Sequence, residues 1–204
     1  YQDDFSADTI ATKKWGVVNL GSVFNGFGIV GGQMLLSATF LSGSGRGFGG
    51  ADTSILVWYA TAKGTDRFKY RIKIASIDLP NDTEMIQLRL DPKDPASPLI
   101  GVRHIGVTPN ELQLFRRGNR AAPFIDYDAT KTTVNYSFPF WLEIEVNAGL
   151  VTFRSSQGGA DGTFADLAGT FNKVVDPHRM RHFCLSAGGL WPTTVRYDDA
   201  TIYK

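Results

Sequence analysis

Glu143 and Glu145 are the side chains of this sequence best spaced for paired-carboxylate chemistry. They alternate with Leu142, Ile144 and Val146, and a period of two marks a half-buried strand. Both carboxylates therefore leave one face of that strand, roughly 6–7 Å apart along it. The run 67–74 carries the opposite charge. Arg67, Lys69, Arg71 and Lys73 alternate there with Phe68, Tyr70, Ile72 and Ile74, which lines up four cations at intervals of roughly 7 Å. Like charges in a row repel and call for anions. Glu143, Glu145, Glu84 and Glu111 can supply them as a cross-strand ionic ladder, the simpler expectation. An acidic or sulfated glycan, or an acidic protein surface, is the external alternative, and Arg116, Arg117 and Arg120 would extend such a patch.

A binding surface is expected at Trp191 together with Arg71 and Arg103. Trp191 stands in a Gly-Gly-Leu-Trp-Pro loop, where a large ring has less reason to be core, and sugar rings stack on such aromatics while polar neighbours take their hydroxyls. Trp15, Trp58 and Trp141 read as buried or half-buried positions. Other constellations fail on context. Residues 45–50 satisfy Gly-x-Gly-x-x-Gly, but a β-type run follows them, whereas a dinucleotide site needs a helix N-terminus at that point. His104, His178 and His182 lack the spacing of a zinc helix, and no Gly-x-Ser-x-Gly elbow occurs.

The elements that must carry these residues are strands. Apolar-polar alternation recurs at 67–74, 86–90 and 142–146, and β-rich runs cover 33–41, 54–61, 99–107, 111–116, 150–155, 183–187 and 194–203. Clusters of Gly, Pro, Asn and Asp separate them. About ten to thirteen strands are implied, with at most a short helical turn in 164–171. Without a βαβ rhythm, an all-β antiparallel sandwich is favoured. The 204 residues include 14 Phe, 7 Tyr and 4 Trp, enough for one substantial core spanning 1–204. The 21 basic and 20 acidic residues nearly cancel to +1, so no global field recruits nucleic acid. The apolar runs fall short of the ~20 residues of a membrane-spanning helix. Residues 1–9 lack a signal-peptide pattern, and the single cysteine, Cys184, excludes an internal disulfide. A chain that starts at Tyr1 reads as a module of a larger protein.

Three segments, in order, resemble the concanavalin A-like lectin/glucanase superfamily, the jelly-roll sandwich that also includes laminin G-like domains. The first is Asp3-Asp-Phe-Ser-Ala-Asp with Trp15 and the Gly-Gly-Gln-Met-Leu-Leu-Ser run at 31–37. The second is Trp141-Leu-Glu-Ile-Glu-Val, Gly149-Leu-Val-Thr-Phe-Arg-Ser-Ser and the Gly-Gly-Ala-Asp-Gly turn at 158–162. The last is Phe183-Cys-Leu-Ser-Ala-Gly followed by Val195-Arg-Tyr-Asp-Asp-Ala-Thr-Ile-Tyr. The resemblance covers nearly the whole chain. It implies that the first and last segments pair at one edge, burying Phe5 and Ile202.

Glucanases of this superfamily hold a retaining pair of carboxylates in a Glu-x-Asp-x-x-Glu strand. Here Glu143 matches, Glu145 replaces the Asp, and Ala148 stands at the acid/base position, which implies that the chain is not an enzyme. Many relatives bind a structural calcium between an early acid and an Asp of the last strand, which implies Asp4 and Asp198 as ligands. The expected function is thus a non-catalytic carbohydrate or cell-surface glycan recognition module, extracellular or on a virion surface, with other subunits of a larger assembly as further partners. The alternatives are a structural or protein-interaction domain and, weakest, a glycoside hydrolase.

Overall fold

Alternating apolar side chains give each sheet one face to bury, and two such faces close on one another. The computed structural model describes residues 2–6, 15–18, 23–39, 54–58, 66–78, 83–89, 99–105, 111–117, 126–133, 136–158, 162–167, 182–187 and 193–203. They form β1 (Gln2–Asp3), β2 (Trp15–Val18), β3 (Val23–Val30), β4 (Gln33–Thr39), β5 (Ser54–Trp58), β6 (Arg67–Asp78), β7 (Thr83–Arg89) and β8 (Leu99–Ile105). The second half adds β9 (Glu111–Arg117), β10 (Asp126–Thr133), β11 (Phe140–Asn147), β12 (Leu150–Ser156), β13 (Ala165–Asp166), β14 (His182–Ala187) and β15 (Thr193–Tyr203). The described residues contain no helix, and the short helical turn allowed from 164 is instead β13 where it is described.

Every pairing is antiparallel. The eight-stranded sheet runs β13-β12-β11-β6-β15-β4-β3, with β1 also on β15. The seven-stranded sheet runs β10-β9-β8-β7-β14-β5-β2. The fifteen strands among the described residues exceed the ten to thirteen expected, because β2, β3, β10 and the two-residue β1 and β13 carry little alternation.

The core lies between the sheets. Phe68, Tyr70, Ile72 and Ile74 of β6, Leu142, Ile144 and Val146 of β11, and Ile86, Leu88, Val102, Leu114, Phe183 and Leu185 of the other sheet are all buried. Tyr70 stacks on Phe183 across the gap, rings 8° apart at 4.8 Å, and the Tyr197 hydroxyl donates to the Met85 carbonyl at 2.7 Å. A buried phenol thereby finds the partner it requires.

The chain ends meet, with Gln2 opposite Thr201 and Asp3 opposite Ala200, and Phe5 and Ile202 are buried as expected. Among the described residues β1 has β15 as its one partner, so the ends lie together at a local edge of the sheet. β15 has eleven residues and β4 seven, so β1 continues the column beside β15 that β4 vacates.

Candidate functional site

β6 and β11 are neighbours in a register that sets Arg71 against Glu143 and Lys69 against Glu145. Their apolar residues fill the core, so these charges occupy the outward face of the eight-stranded sheet. Across the β11–β12 hairpin, Arg154 faces Glu143, and Asp166 of β13 faces Arg154. Five strands thus assemble one polar layer, completed by Thr201 and Tyr203 of β15, opposite Arg71 and Lys69.

The ionic ladder forms with Glu143 and Glu145, whereas Glu84 and Glu111, also expected in it, lie on β7 and β9 of the other sheet. Arg71 Nε donates to Glu143 Oε2 at 2.6 Å, and Arg154 donates to Glu143 Oε1 at 2.9 Å and also to Glu145. Arg154 Nε meets Asp166 Oδ1 at 2.6 Å. Glu145 Oε1 further accepts from Arg67 Nε at 3.1 Å and lies 3.6 Å from Lys69 Nζ. Lys73 takes Asp198 instead, at 2.6 Å. The reason is a bulge in β15, where Asp198 and Asp199 together oppose the single residue Lys73 between two regular pairs.

Charge sign and depth are correlated. The Glu143 and Glu145 side chains are 1% and 8% exposed, whereas Arg67, Lys69, Arg71 and Arg154 are 64%, 27%, 18% and 22% exposed. Among the carboxylates that Arg154 bonds, Asp166 at the sheet edge is the exposed one. Burial alone would push the Glu145 carboxyl up. Hydrogen bonds from Arg154 and Arg67 and the charges of Arg154 and Lys69 outweigh that and hold it below its usual range. The Arg154 guanidinium loses hydration, yet Glu145, Glu143 and Asp166 keep it above its ordinary value. Glu145 is therefore a carboxylate at neutral pH and a poor proton donor.

Arg71 lies between two rings, its guanidinium carbon 4.3 Å from the Phe164 centroid and 4.8 Å from that of Tyr203. Its Nη1 is 3.4 Å from the Tyr203 hydroxyl. Tyr203 is 40% exposed, and its ring forms a solvent-facing flank of the charge layer.

The expected trio does not assemble. Arg71 belongs to this face, but Arg103 sits on β8 of the other sheet, pointing away from the core on the opposite side of the sandwich. It is nearly buried and donates to Gln113 Oε1 at 2.7 Å. Alternation places both arginines outside the core without saying which sheet each joins. Trp191 lies outside the described residues, as does His178. Trp15 and Trp141 are buried.

Of the expected calcium ligands, Asp198 is engaged by Lys73, and Asp4 Oδ1 accepts from the Ser6 amide at 3.1 Å. Burial, with the nearby charges of Asp198 and Asp4, raises the Asp199 carboxyl above the usual range, against the opposing pull of Lys73 and Gln2. No group of three or more His, Cys, Asp or Glu is arranged for a metal ion among the described residues.

Arg154, Phe164 and Tyr203 were not singled out from the sequence. A signal for Arg154 was present. Ala148 and Gly149 both have positive φ, 48° and 84°, and form a two-residue hairpin turn. Such a turn fixes Asn147 against Leu150, and counting back sets Glu143 against Arg154.

Two mainly antiparallel sheets in this order, wrapped on one core with paired chain ends, match solved structures over the full chain. The fold is the concanavalin A-like jelly roll. The catalytic domain of an endo-1,3-β-glucanase (laminarinase) from Thermotoga petrophila is similar at 10% identity and a TM-score of 0.66, covering 100% of this chain and 96% of its own. LamAcat from Zobellia galactanivorans is similar at 11% identity and 0.63, covering 100% and 96%. The GH43 protein BlXynB from Bacillus licheniformis is similar at 12% and 0.66, and there the match covers 98% of this chain but 38% of the other. No family model matches the sequence, and no curated protein does.

These likenesses correct the expectation that the chain is not an enzyme. Catalytic glucanase domains share its fold along its whole length, so the fold offers no ground for setting it apart from them. The reasoning from Ala148 also loses its premise. It took residue 148 as a strand position three beyond Glu145, but β11 ends at Asn147 and Ala148 belongs to the turn. A missing carboxylate there is no statement about the outward face. At 10–12% identity the likeness itself shows the fold alone.

Proposed function

We propose that this chain binds a carbohydrate on the outward face of the eight-stranded sheet, with the Tyr203 ring as stacking surface and Arg71 beside it as donor. The observation that carries the reading is the half-exposed Tyr203 ring lying against Arg71, on a face whose floor is a layer of fixed polar groups. Sugar rings are recognised by this combination of an aromatic plane and preset hydrogen-bonding groups. The Glu143 and Arg154 bonds hold the donors in place before a ligand arrives, which lowers the ordering cost of binding. The jelly-roll fold shared with laminarinase domains supports a glycan as the partner, and β-1,3-glucan is the first ligand to try. An extracellular setting accords with such a ligand.

Retention of the protein on insoluble β-1,3-glucan tests the proposal. Tyr203→Ala should abolish retention and leave folding intact, because the ring is 40% exposed. Undiminished retention in that variant would place binding elsewhere. Reducing sugar released from laminarin by the wild type and lost in Glu143→Gln would make the same face hydrolytic.

A further inference from the structure

The polar layer is layered by sign, and this bears on which saccharides fit it. Glu143 and Glu145 lie beneath at 1% and 8% exposure, while Arg67 and Lys69 stand above them at 64% and 27%. Arg67 reaches Glu145 at 3.0 Å and Lys69 at 3.6 Å, so the carboxylate anchors both cations from below. A solute approaching from water meets the cations first. The two are two residues apart on β6, roughly 7 Å along the strand. Lys69 lies opposite Tyr203 on the adjoining strand, so this cation adjoins the stacking ring proposed above and Arg67 follows it two residues further along β6. Asp166, the exposed carboxylate bonded to Arg154, lies on β13, three strands away from β6 across β11 and β12, and Asp66, also exposed, directly precedes Arg67.

From this arrangement we infer that the ligand is an anionic glycan, its carboxylate or sulfate groups bound across Arg67 and Lys69 beside the Tyr203 ring. This rests on the carbohydrate reading of the same face and narrows it. The buried glutamates are spectators to the ligand: they hold the cations in geometry and already satisfy one side of each. An anion placed above adds to these contacts from the water side, where Arg67 is 64% and Lys69 27% exposed. A neutral glucan gains only the stacking and hydroxyl contacts.

Titration calorimetry of the wild type with size-matched oligogalacturonate, sulfated galactan oligosaccharide and neutral laminari-oligosaccharide tests it. The two anionic probes separate carboxylate from sulfate as the preferred group. The inference expects at least one of them to bind about tenfold tighter than the neutral probe at low salt, an advantage that shrinks several-fold at 0.5 M NaCl. Arg67→Gln with Lys69→Gln should remove most of it, at about three- to fivefold per residue. A laminari-oligosaccharide that binds as well as either anion and requires Tyr203 overturns this inference and leaves carbohydrate binding standing. Anion binding unchanged in the double variant, with an unchanged melting temperature, removes these residues from the site and overturns it too. Retention of none of the three probes sinks the carbohydrate reading, and this inference with it.

Discussion

Arg154→Met is the most informative single perturbation of the outward face. It keeps much of the apolar stem and deletes the one group that bonds Glu143, Glu145 and Asp166 together. Breaking a fully buried ion pair costs about 3–5 kcal/mol, because the remaining charge is stranded. Two features lower that figure here. Arg154 is itself 22% exposed, and each buried glutamate keeps a second cation, Arg71 for Glu143 and Arg67 with Lys69 for Glu145. The expected loss is therefore about 2 kcal/mol, or roughly 4–8 °C in melting temperature for a chain of this size.

The pH dependence separates charge from packing in that variant. Glu145 is held below its ordinary value of 4.5 in the fold, so its ionised form favours the native state above that value. This stability is lost as pH falls through the native value. Arg154 is the leading favourable cause, so the gap between wild type and Arg154→Met should be full at pH 7 and should narrow as pH drops below 4.5. Thermal melts followed by circular dichroism at pH 7, 4.5 and 3 read this directly. A variant that melts within 1 °C of wild type at pH 7 would refute the coupling. A gap that persists undiminished at pH 3 would assign it to packing instead.

Two further outcomes follow from the backbone and the chain ends. Ala148 sits at φ 48°, a region costly for a residue with a Cβ. Ala148→Gly should stabilise the hairpin by about 0.5–1 kcal/mol, and calorimetric melting checks it. Asp199 has its carboxyl raised by burial and by Asp198, so the native state holds its proton more tightly than the unfolded chain does, and stability falls as pH rises from the ordinary Asp value through the raised one. Asp199→Asn should accordingly raise the melting temperature at pH 7, by about 0.5–1 kcal/mol of stability, and leave it unchanged near pH 3; an equal gain at both values would point to the amide's contacts rather than to charge.

The sequence was most legible where charged and apolar residues alternate, although on β11 the charged face proves buried as well, under the neighbouring arginines. β6 and β11 alternate cleanly, and their apolar residues are indeed the centre of the core. β10, Asp-Tyr-Asp-Ala-Thr-Lys-Thr-Thr, lies at a sheet edge. It shows no apolar face for a period to mark, and backbone pairing alone makes it a strand. β3 hides its period behind Gly26 and Gly28. The pairing of the first and last segments was accessible through the family resemblance, and both segments carry an apolar anchor, Phe5 and Ile202. That β1 takes the stretch of β15 beyond β4 was not, because it depends on β4 being shorter than β15, and the ends of strands are the least determined feature of a sequence pattern.

The site divides along the same line. Alternation says that a charge lies outside the core, and it was right for Arg67, Lys69, Arg71, Glu143 and Glu145. It is silent on which sheet a strand joins, so Arg71 and Arg103 looked alike and ended on opposite sides of the sandwich. Register is the missing quantity, and one short turn supplies part of it. Ala148 and Gly149 close a two-residue hairpin, which fixes every partner from Asn147–Leu150 back to Trp141–Ser156 and brings Arg154 onto Glu143. The same turn ends the strand on which a motif spacing of three beyond Glu145 depends. A catalytic pattern is a statement about side chains on one continuous face, so it carries meaning only as far as the strand runs. Here the decisive question for the outward face is what Glu143 and Glu145 are bonded to, and the answer is arginines from both flanking strands, Arg67 and Arg71 of β6 and Arg154 of β12.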